Sequence, residues 1–193
     1  MTKGKIIVVA APSGCGKSTI INAVMEDAEL NLGFSVSATT RPPRPGEIDG
    51  VNYYFMTEDA FRDTIAEGGF IEYEEVYPGR FYGTLQSEIE RIIASGRNII
   101  LDLDVNGALG VKKIYGSEAL TLFIEPPSLE ELRRRLEFRG TESPEVVDVR
   151  IDRAQYELSR APEFDRRIVN DRLDIAIKQT RNLLEAFVNG GEI

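Results

Sequence analysis

Residues 5–18 read KIIVVAAPSGCGKS, and this stretch decides the fold. Its first part, Lys5–Ala10, is a continuous apolar run of the kind that forms a strand buried on both faces. A glycine-rich turn follows directly, and apolar residues then recur at helical spacing from Lys17 to about Ala28. The stretch therefore predicts a buried strand, a tight turn and a helix in immediate succession.

The turn Ala11–Ser18 has the residue types of a phosphate-binding P-loop. Gly14 and Gly16 let the backbone bend so that its N–H groups point at a phosphate, and the helix N-terminus adds partial positive charge. Lys17 is expected to bridge the β- and γ-phosphates of a nucleoside triphosphate, and the Ser18 hydroxyl to reach Mg²⁺. The predicted triphosphate-binding residues are Ala11, Pro12, Ser13, Gly14, Cys15, Gly16, Lys17, Ser18 and Thr19.

Ala11 and Cys15 are the two unusual residues of this loop. Ala11 replaces the glycine that usually opens such a loop, and a methyl group is expected to fit where the chain leaves the strand. Cys15 is expected to be a small filler, because the sequence offers no second cysteine to act as its redox partner.

Composition excludes several classes of function. The 193 residues are 42% apolar and 28% charged, as expected of one soluble domain, and the net charge of −9 argues against nucleic-acid or anionic-membrane partners. The absence of histidine and the single cysteine exclude a histidine catalyst, an internal disulfide and a cysteine-rich metal site. With no apolar run long enough for a signal peptide or membrane span, the expected location is the cytoplasm.

Strand-like and helix-like segments alternate along the rest of the chain. Further buried strands are predicted at Asn98–Leu103, Ala119–Ile124 and Ile168–Val169. Helices are predicted at Leu85–Ser95, at Leu129–Phe138 behind a Ser128/Glu131 capping box, and at 173–187. The alternation predicts an α/β fold with a parallel central sheet covered on both sides.

Two segments interrupt the alternation. Phe34–Tyr82 contains alternating and aromatic stretches and a short helix near Glu58–Glu67, which predict a small mixed lobe inserted into the core. Arg135–Arg160 is predicted to be a helical excursion with a break at Gly140 and a restart at Ser143-Pro144.

A second phosphate site is indicated within the inserted lobe. Arg41 and Arg44 lie three residues apart in a proline-stiffened loop, where two guanidinium groups can grip one phosphate. The alternative is a solvated basic turn, which is less expected in so acidic a chain.

Carboxylates supply the other candidate ligands. Glu72, within the aromatic run FIEY, can accept two parallel hydrogen bonds from the N1–H and N2–H₂ edge of guanine, although a surface strand residue is the plainer alternative. Asp102 and Asp104 end a predicted parallel strand, where ligands bind, and one of them can orient Mg²⁺ through water. A pair of exposed strand-end charges is the alternative for these two aspartates.

A series of motifs follows in order along the chain, namely FSVSATTRPPR (34–44), YYF (53–55), FIE (70–72), FYGT (81–84), LDLDV (101–105), EPPS (125–128), RLEFRGT (135–141) and IVN (168–170). Over about residues 5–188 these motifs resemble those of guanylate kinases. The loop Val76–Phe81 departs from the pattern, because it is one residue longer than in many relatives.

The resemblance implies a P-loop three-layer fold in a single domain, with a mixed α+β GMP-binding lobe and a helical lid. The implied boundaries are a core at about 1–33, 84–125 and 161–193, the lobe at about 34–83 and the lid at about 126–160. The implied activity is the phosphorylation of GMP, and of dGMP, to GDP by Mg²⁺·ATP in purine nucleotide metabolism. ATP and GMP are the implied partners, and the chain is expected to be a monomer or homodimer.

The resemblance also implies roles for matching residues. The GMP phosphate would be held by Arg41, Arg44, Tyr53 and Tyr82, and the guanine edge would be read by Ser37, Glu72 and Thr84, with Asp102 and Asp104 nearby. Arg135, Arg139 and Arg150 would belong to the lid that closes over ATP, and Asn170 would lie near the adenine. The implied catalytic residues are Lys17, Arg41, Arg135, Arg139 and Arg150.

The nucleophile of such a reaction is a phosphate oxygen that is already ionised, so no general base is required. Catalysis then reduces to alignment and charge neutralisation, with closure of lobe and lid to exclude water. Two alternatives stay open. A non-catalytic module binding phosphorylated proteins would be expected to lose Lys17 or the lid arginines, and a kinase for another acceptor, such as a sugar phosphate, would not need Glu72.

Overall fold

The computed structural model describes residues 3–138 and 143–191, which group into two compact units. One unit consists of Gly33–Ile99 with the residues up to Gly4, and the other of Lys5–Leu32 with the chain from Ile100 onward. Residues 84–99, assigned to the core on sequence grounds, group with the Gly33–Ile99 unit. The reason is local, because the helix at 86–94 packs on the strand that precedes it.

Nine strands in the described part of the chain form two sheets. They are β1 (Ile6–Ala10), β2 (Leu32–Phe34), β3 (Ala38–Thr39), β4 (Tyr54–Phe55), β5 (Phe70–Tyr77), β6 (Arg80–Leu85), β7 (Asn98–Asp102), β8 (Ala119–Glu125) and β9 (Arg166–Val169). The central sheet has the order β2-β7-β1-β8-β9. Ile6 of β1 lies opposite Ala119 of β8, and Leu122 of β8 lies opposite Arg166 of β9, both in parallel register. The predicted α/β fold with a parallel central sheet is confirmed.

Seven helices occur in the same described residues. They are α1 (Lys17–Met25), α2 (Glu58–Ala66), α3 (Gln86–Ala94), α4 (Val105–Tyr115), α5 (Leu129–Phe138), α6 (Pro144–Arg160) and α7 (Leu173–Val188). The predicted helices are confirmed with small shifts of their ends. The first helix ends at Met25 rather than near Ala28, because Asp27 accepts the Glu29 N–H at 3.0 Å and opens a separate 3₁₀ turn.

The central sheet is stabilised by the burial of apolar residues on both of its faces. Every residue of β1 is buried, as a strand covered on both faces requires. Apolar side chains of α1 and α7, such as Ile20 and Leu184, belong to the same core cluster as Ile7 and Leu122 of the sheet. This cluster holds β1 in place, and with it the turn that follows at Ala11.

Helix α4 and strand β2 are the elements that the sequence did not predict. Helix α4 begins after Asp104, whose carboxylate Oδ1 accepts the Gly107 N–H at 2.8 Å as an N-terminal cap. Its glycines weaken the helical signal, which is why the pattern was missed.

The predicted break at Gly140 lies outside the described residues, whereas the restart is confirmed, with Ser143 at the N-cap position of α6 and Pro144 in its first turn.

The Gly33–Ile99 unit contains the predicted mixed sheet, with the order β4-β3-β6-β5. Strand β3 pairs in parallel with β4 and antiparallel with β6, which in turn pairs antiparallel with β5. Phe61 of α2 stacks against Phe70 and Phe81, with ring centroids 4.2 and 5.3 Å apart. The sheet therefore buries one face against its own small aromatic core.

No helix within residues 3–138 and 143–191 combines the length and apolar character needed to cross a membrane.

A partly buried polar cluster ties β8 to the start of β9. Oδ2 of Asp165 accepts hydrogen bonds from the Thr121 N–H at 2.8 Å and the Thr121 hydroxyl at 2.9 Å, and pairs with the Lys112 ammonium at 2.8 Å. Burial by itself would raise the pKa of Asp165, but the bonds from Lys112 and Thr121 hold it below its ordinary value of 3.8.

We predict that Asp165→Asn lowers the free energy of unfolding at pH 7 by roughly 1–3 kcal/mol, because the amide cannot replace the charged pair. A depressed folded-state pKa contributes stability that is present above the unfolded-state pKa and lost as pH falls through the folded-state pKa. The difference between the two proteins should thus stay constant from pH 7 to about 5 and shrink below about 4. Urea unfolding at several pH values checks this, and a difference unchanged at pH 3 would contradict it.

Candidate active site

The turn after β1 borders a cavity with a volume of about 660 Å³. Besides the turn itself, the end of β7 and one face of α6 contribute to its wall. Its lining residues are Ala11, Pro12, Ser13, Gly14, Gly16, Lys17, Ser18, Thr19, Asp102, Leu103, Asp104, Arg150, Arg153 and Glu157. The structure thus brings together all the predicted triphosphate-binding residues of the turn except Cys15.

Two glycines give the turn its shape. Gly14 and Gly16 have φ angles of +93° and +84°, which other residues rarely adopt. A Cβ atom on Gly16 would lie 2.6 Å from Nδ2 of Asn170, and one on Gly14 would lie 2.9 Å from Cδ2 of Leu136. Both positions therefore favour glycine for conformation, and a Cβ at either one would force a neighbouring side chain to shift.

Lys17 faces the end of β7. Its ammonium forms an ion pair with the Asp102 carboxylate and donates to the Leu103 carbonyl oxygen at 3.4 Å. Asp102 is thus the counterion of the P-loop lysine in this structure. Asp104, by contrast, uses its carboxylate to cap α4. The predicted places of both aspartates near the guanine stay predictions.

Asn170 fixes the turn through a hydrogen bond to the backbone of Cys15. Nδ2 of the buried Asn170 donates to the Cys15 carbonyl oxygen at 2.8 Å, and the Asn170 carbonyl oxygen accepts from Nη1 of Arg135 at 3.0 Å. Burial raises the pKa of the Cys15 thiol to about 12, so the group is protonated at neutral pH. Asn170 is therefore a positioning residue of the P-loop, and its predicted contact with adenine stays a prediction.

The arginines predicted to belong to a lid lie beside the turn, as far as the structure describes them. Arg135 donates from Nε to Glu131 at 2.9 Å, and Nη1 of Arg150 donates to the Ser13 hydroxyl at 3.0 Å. Hydrogen bonds from Arg134 and then Arg135 lower the pKa of Glu131 to about 2. Arg139 lies outside the described residues.

Ser128 caps α5 as predicted, since its hydroxyl accepts the Glu131 N–H at 3.1 Å. The Glu131 carboxylate, however, accepts from Arg134 and Arg135. The residue predicted as half of a capping box thus fixes Arg135, which the resemblance assigns to the lid.

Sequence reasoning missed two charged residues of the cavity wall, Arg153 and Glu157. They follow Arg150 at i+3 and i+7 and therefore share its face of α6. That spacing was the signal that could have found them.

In the Gly33–Ile99 unit, one face of the mixed sheet carries the candidate base-reading groups. Glu72 lies opposite Thr84, and Glu74 opposite Tyr82, so that the four side chains share a face. The buried Thr84 hydroxyl donates to Oε1 of Glu72 at 2.6 Å. A carboxylate and a hydroxyl are therefore fixed side by side, as a guanine edge would require.

The candidate phosphate-binding groups also meet within this unit. The Arg41 guanidinium lies 5.4 Å from the centroid of the Tyr53 ring, and the Tyr53 and Tyr82 centroids are 6.0 Å apart. Ser37 lies next to β4, where its carbonyl oxygen accepts the Tyr54 N–H at 2.9 Å. Arg44 is exposed on the loop beyond.

Glu47 organises the loop and was given no role from the sequence. It accepts from Nη2 and Nη1 of the buried Arg41 at 2.8 and 3.0 Å, and from the backbone N–H of Arg44 at 2.6 Å. The bonds from Arg41 and then from Arg44 hold the pKa of Glu47 below its usual value. The two arginines are thus held in one loop by a single carboxylate, which the proline-rich pattern alone did not reveal.

The strand, P-loop and helix around Lys17 define a P-loop kinase fold. The family model described as guanylate kinase matches residues 3–187. The chain is 52% identical over 186 residues to a guanylate kinase of Bacteroides fragilis, covering 96% of this chain and 91% of the relative. It is 50% identical to a guanylate kinase of Porphyromonas gingivalis, covering 95% and 98% of the two chains.

A solved structure agrees with these sequence matches. The crystal structure of guanylate kinase from Anaplasma phagocytophilum superposes with a TM-score of 0.69 at 32% identity, covering 97% of this chain and 88% of the other. The chain belongs to the guanylate kinase family.

We predict that Cys15 in the folded protein resists alkylation by iodoacetamide at pH 8, because its raised pKa of about 12 and its burial leave almost no accessible thiolate. The rate should be at least about a hundredfold below that of the urea-unfolded chain. Mass spectrometry of timed samples measures both rates. Equal rates in the two states would contradict the buried position of the thiol.

Proposed function

We propose that the protein transfers the γ-phosphoryl group of Mg²⁺·ATP to GMP, giving ADP and GDP. The observation that supports this most directly is the Glu72–Thr84 pair, fixed on one sheet face in a chain that also has a complete P-loop cavity. The P-loop selects a nucleoside triphosphate as donor, and the carboxylate–hydroxyl pair selects guanine in the acceptor.

Lys17 and the backbone of the P-loop bind the ATP phosphates. Binding requires the Lys17 ammonium to exchange its partner Asp102 for a phosphate oxygen, which carries more negative charge. Arg135 and Arg150 add positive charge beside the same turn and neutralise the charge that spreads over the transferred group.

The oxygen atoms of the cavity wall fit a magnesium ion. Ser18 and Asp102 both line the cavity, and a hydroxyl and a carboxylate are ligands that Mg²⁺ accepts together with nucleotide phosphates. We propose that Ser18 Oγ binds the ion directly and that Asp102 orients it through water. When bound, the ion supplies charge neutralisation for the phosphates.

GMP is proposed to bind in the Gly33–Ile99 unit. Glu72 accepts the N1–H and N2–H₂ donors of guanine, while Thr84 and Ser37 contribute hydroxyl groups. Arg41, Arg44, Tyr53 and Tyr82 hold the phosphate. None of these groups needs a 2′-hydroxyl, so dGMP is proposed as an acceptor as well.

No general base is required, because the attacking phosphate oxygen of GMP is ionised at neutral pH. The residues of the chain then act by alignment and electrostatics, which is the usual source of catalysis in phosphoryl transfer. Excluding water from the aligned phosphates prevents the hydrolysis of ATP.

The proposal is tested by measuring ADP release from Mg²⁺·ATP with GMP, dGMP, AMP, CMP, UMP and ribose 5-phosphate as acceptors. Turnover with GMP and dGMP alone is expected. Turnover with ribose 5-phosphate but not GMP would overturn the assignment of the acceptor, and binding of GMP without turnover would indicate a phospho-ligand binding module.

We predict that Lys17→Ala lowers kcat for GDP formation by at least about a hundredfold, because a cation at the transferred phosphoryl group is lost. Lys113→Ala, which removes an exposed lysine from α4, serves as the matched control and should keep full activity. Circular dichroism establishes that both variants fold. Normal GDP production by the Lys17 variant would refute the role of the P-loop.

We predict that Glu72→Gln raises KM for GMP at least about tenfold, because the amide can accept only one of the two guanine donors and leaves a mismatched pair. KM for ATP should change less than about twofold. Glu67→Gln is the control, since Glu67 is exposed at the end of α2 in the same unit and is not on the sheet face that carries Glu72. An unchanged KM for GMP in the Glu72 variant would remove this residue from base recognition.

A further inference from the structure

One face of α6 places an ion pair in the wall of the P-loop cavity. Arg153 and Glu157 line this cavity together with Lys17 and Ser18, and Nε of Arg153 donates to Oε1 of Glu157 at 3.0 Å. The two side chains differ in exposure, with 68% of the arginine side chain but only 10% of the glutamate side chain accessible. A buried carboxylate thus anchors an exposed guanidinium at the rim of a phosphate site.

Helix stability does not explain this pair. A glutamate stabilises a helix better when it lies four residues before a basic residue than four residues after it, and here the order is the less favourable one. Burying a carboxylate also costs desolvation free energy, which an exposed i,i+4 pair would avoid. The arrangement is better accounted for by what it does to the cavity.

Glu157 places a negative charge in the wall of a cavity that is proposed to bind polyanions. A buried carboxylate repels phosphates unless a cation faces them in front of it. Arg153 provides that cation. Its hydrogen bond to Glu157 uses only Nε, and among the described residues no other hydrogen bond or ion pair of Arg153 is present, so that both Nη groups can donate to a ligand.

We propose that Arg153 is a further phosphate-binding residue of the triphosphate site and that Glu157 is its positioning residue. Arg153 donates from its Nη groups to the phosphates of ATP, while Glu157 limits the rotamers of the arginine and so lowers the entropy cost of the contact. The proposal rests on the proposed function for the identity of the ligand, since it deepens the account of the same site.

The position on α6 adds to the argument. Arg150, one turn earlier, reaches the Ser13 hydroxyl of the P-loop at 3.0 Å. The same helix face therefore presents two guanidinium groups to one cavity, together with the ammonium of Lys17. The same wall holds the carboxylates of Asp102, Asp104 and Glu157, so a bound polyanion depends on these three cations for its charge partners.

The test compares Arg153→Gln, Arg153→Lys, Glu157→Gln, the double variant R153Q/E157Q and the matched control Arg133→Gln. The control likewise removes an arginine and its ion pair, because Arg133 of α5 bonds to Asp148 at 2.6 Å. Arg133 does not line the P-loop cavity. Two readouts are used, namely kinetics with ATP and GMP varied separately, and calorimetric binding of ATP and of inorganic tripolyphosphate.

Arg153→Gln is expected to lower kcat/KM for ATP and the affinity for tripolyphosphate about tenfold, as loss of a charged hydrogen bond implies, with KM for GMP unchanged. Arg153→Lys should recover part of the loss, and Arg133→Gln should stay within about twofold of the unmodified protein. Glu157→Gln should give a smaller loss that adds nothing in the double variant, because Glu157 acts through Arg153.

An Arg153→Gln variant that behaves like Arg133→Gln in both readouts would overturn the proposal. A loss from Glu157→Gln that persists undiminished in the double variant would overturn the positioning role. Failure of the proposed function would look different, since the unmodified protein would then not phosphorylate GMP, while tripolyphosphate binding would still report on Arg153.

Discussion

The left-handed backbone at Gly14 and Gly16 is the constraint on which the phosphate site depends. It allows the chain to turn at the end of a buried strand, so that the N-terminus of α1 borders the cavity. The turn is also fixed from outside, because Asn170 bonds to the Cys15 carbonyl oxygen and Leu136 fills the space beside Gly14. These contacts fix the conformation of the turn before a ligand binds, which lowers the conformational-entropy cost of binding a polyanion.

In each unit, a cation that is proposed to bind phosphate is paired with a carboxylate of the chain. The cations proposed to hold phosphates lie against oxygen atoms of the chain, as Lys17 does with Asp102 and Arg41 with Glu47. These pairs keep the cations near their working positions and avoid unpaired charge in a partly enclosed site. A phosphate must compete with a carboxylate for Lys17 and for Arg41, so these sites favour ligands that carry more than one negative charge.

Much of this architecture could be predicted from the sequence, for physical reasons that differ between elements. The buried run before Ala11 and the glycine-rich turn have strong local signals, and the predicted bounds of α5 coincide with those observed. Helix α4 was missed because its glycines weaken helical propensity and its cap, Asp104, also fits the end of a strand.

Several residues of the candidate site could not be predicted because their roles depend on tertiary contacts. Glu47 becomes significant only when the loop folds back onto Arg41, and Glu157 only when α6 packs beside the P-loop. Asn170 was expected near the adenine from family resemblance, whereas its observed contact is with the P-loop backbone. Local patterns identify elements, but they do not show which side chains meet.

The proposed function requires that donor and acceptor bind to different units of the chain. Amide hydrogen exchange, followed by mass spectrometry with either GMP or a non-hydrolysable ATP analogue present, tests this requirement. GMP is expected to slow exchange in the peptides covering 37–47 and 70–85, and the ATP analogue to slow exchange in 11–19. Protection of 11–19 by GMP, with no change in 37–47 or 70–85, would contradict it.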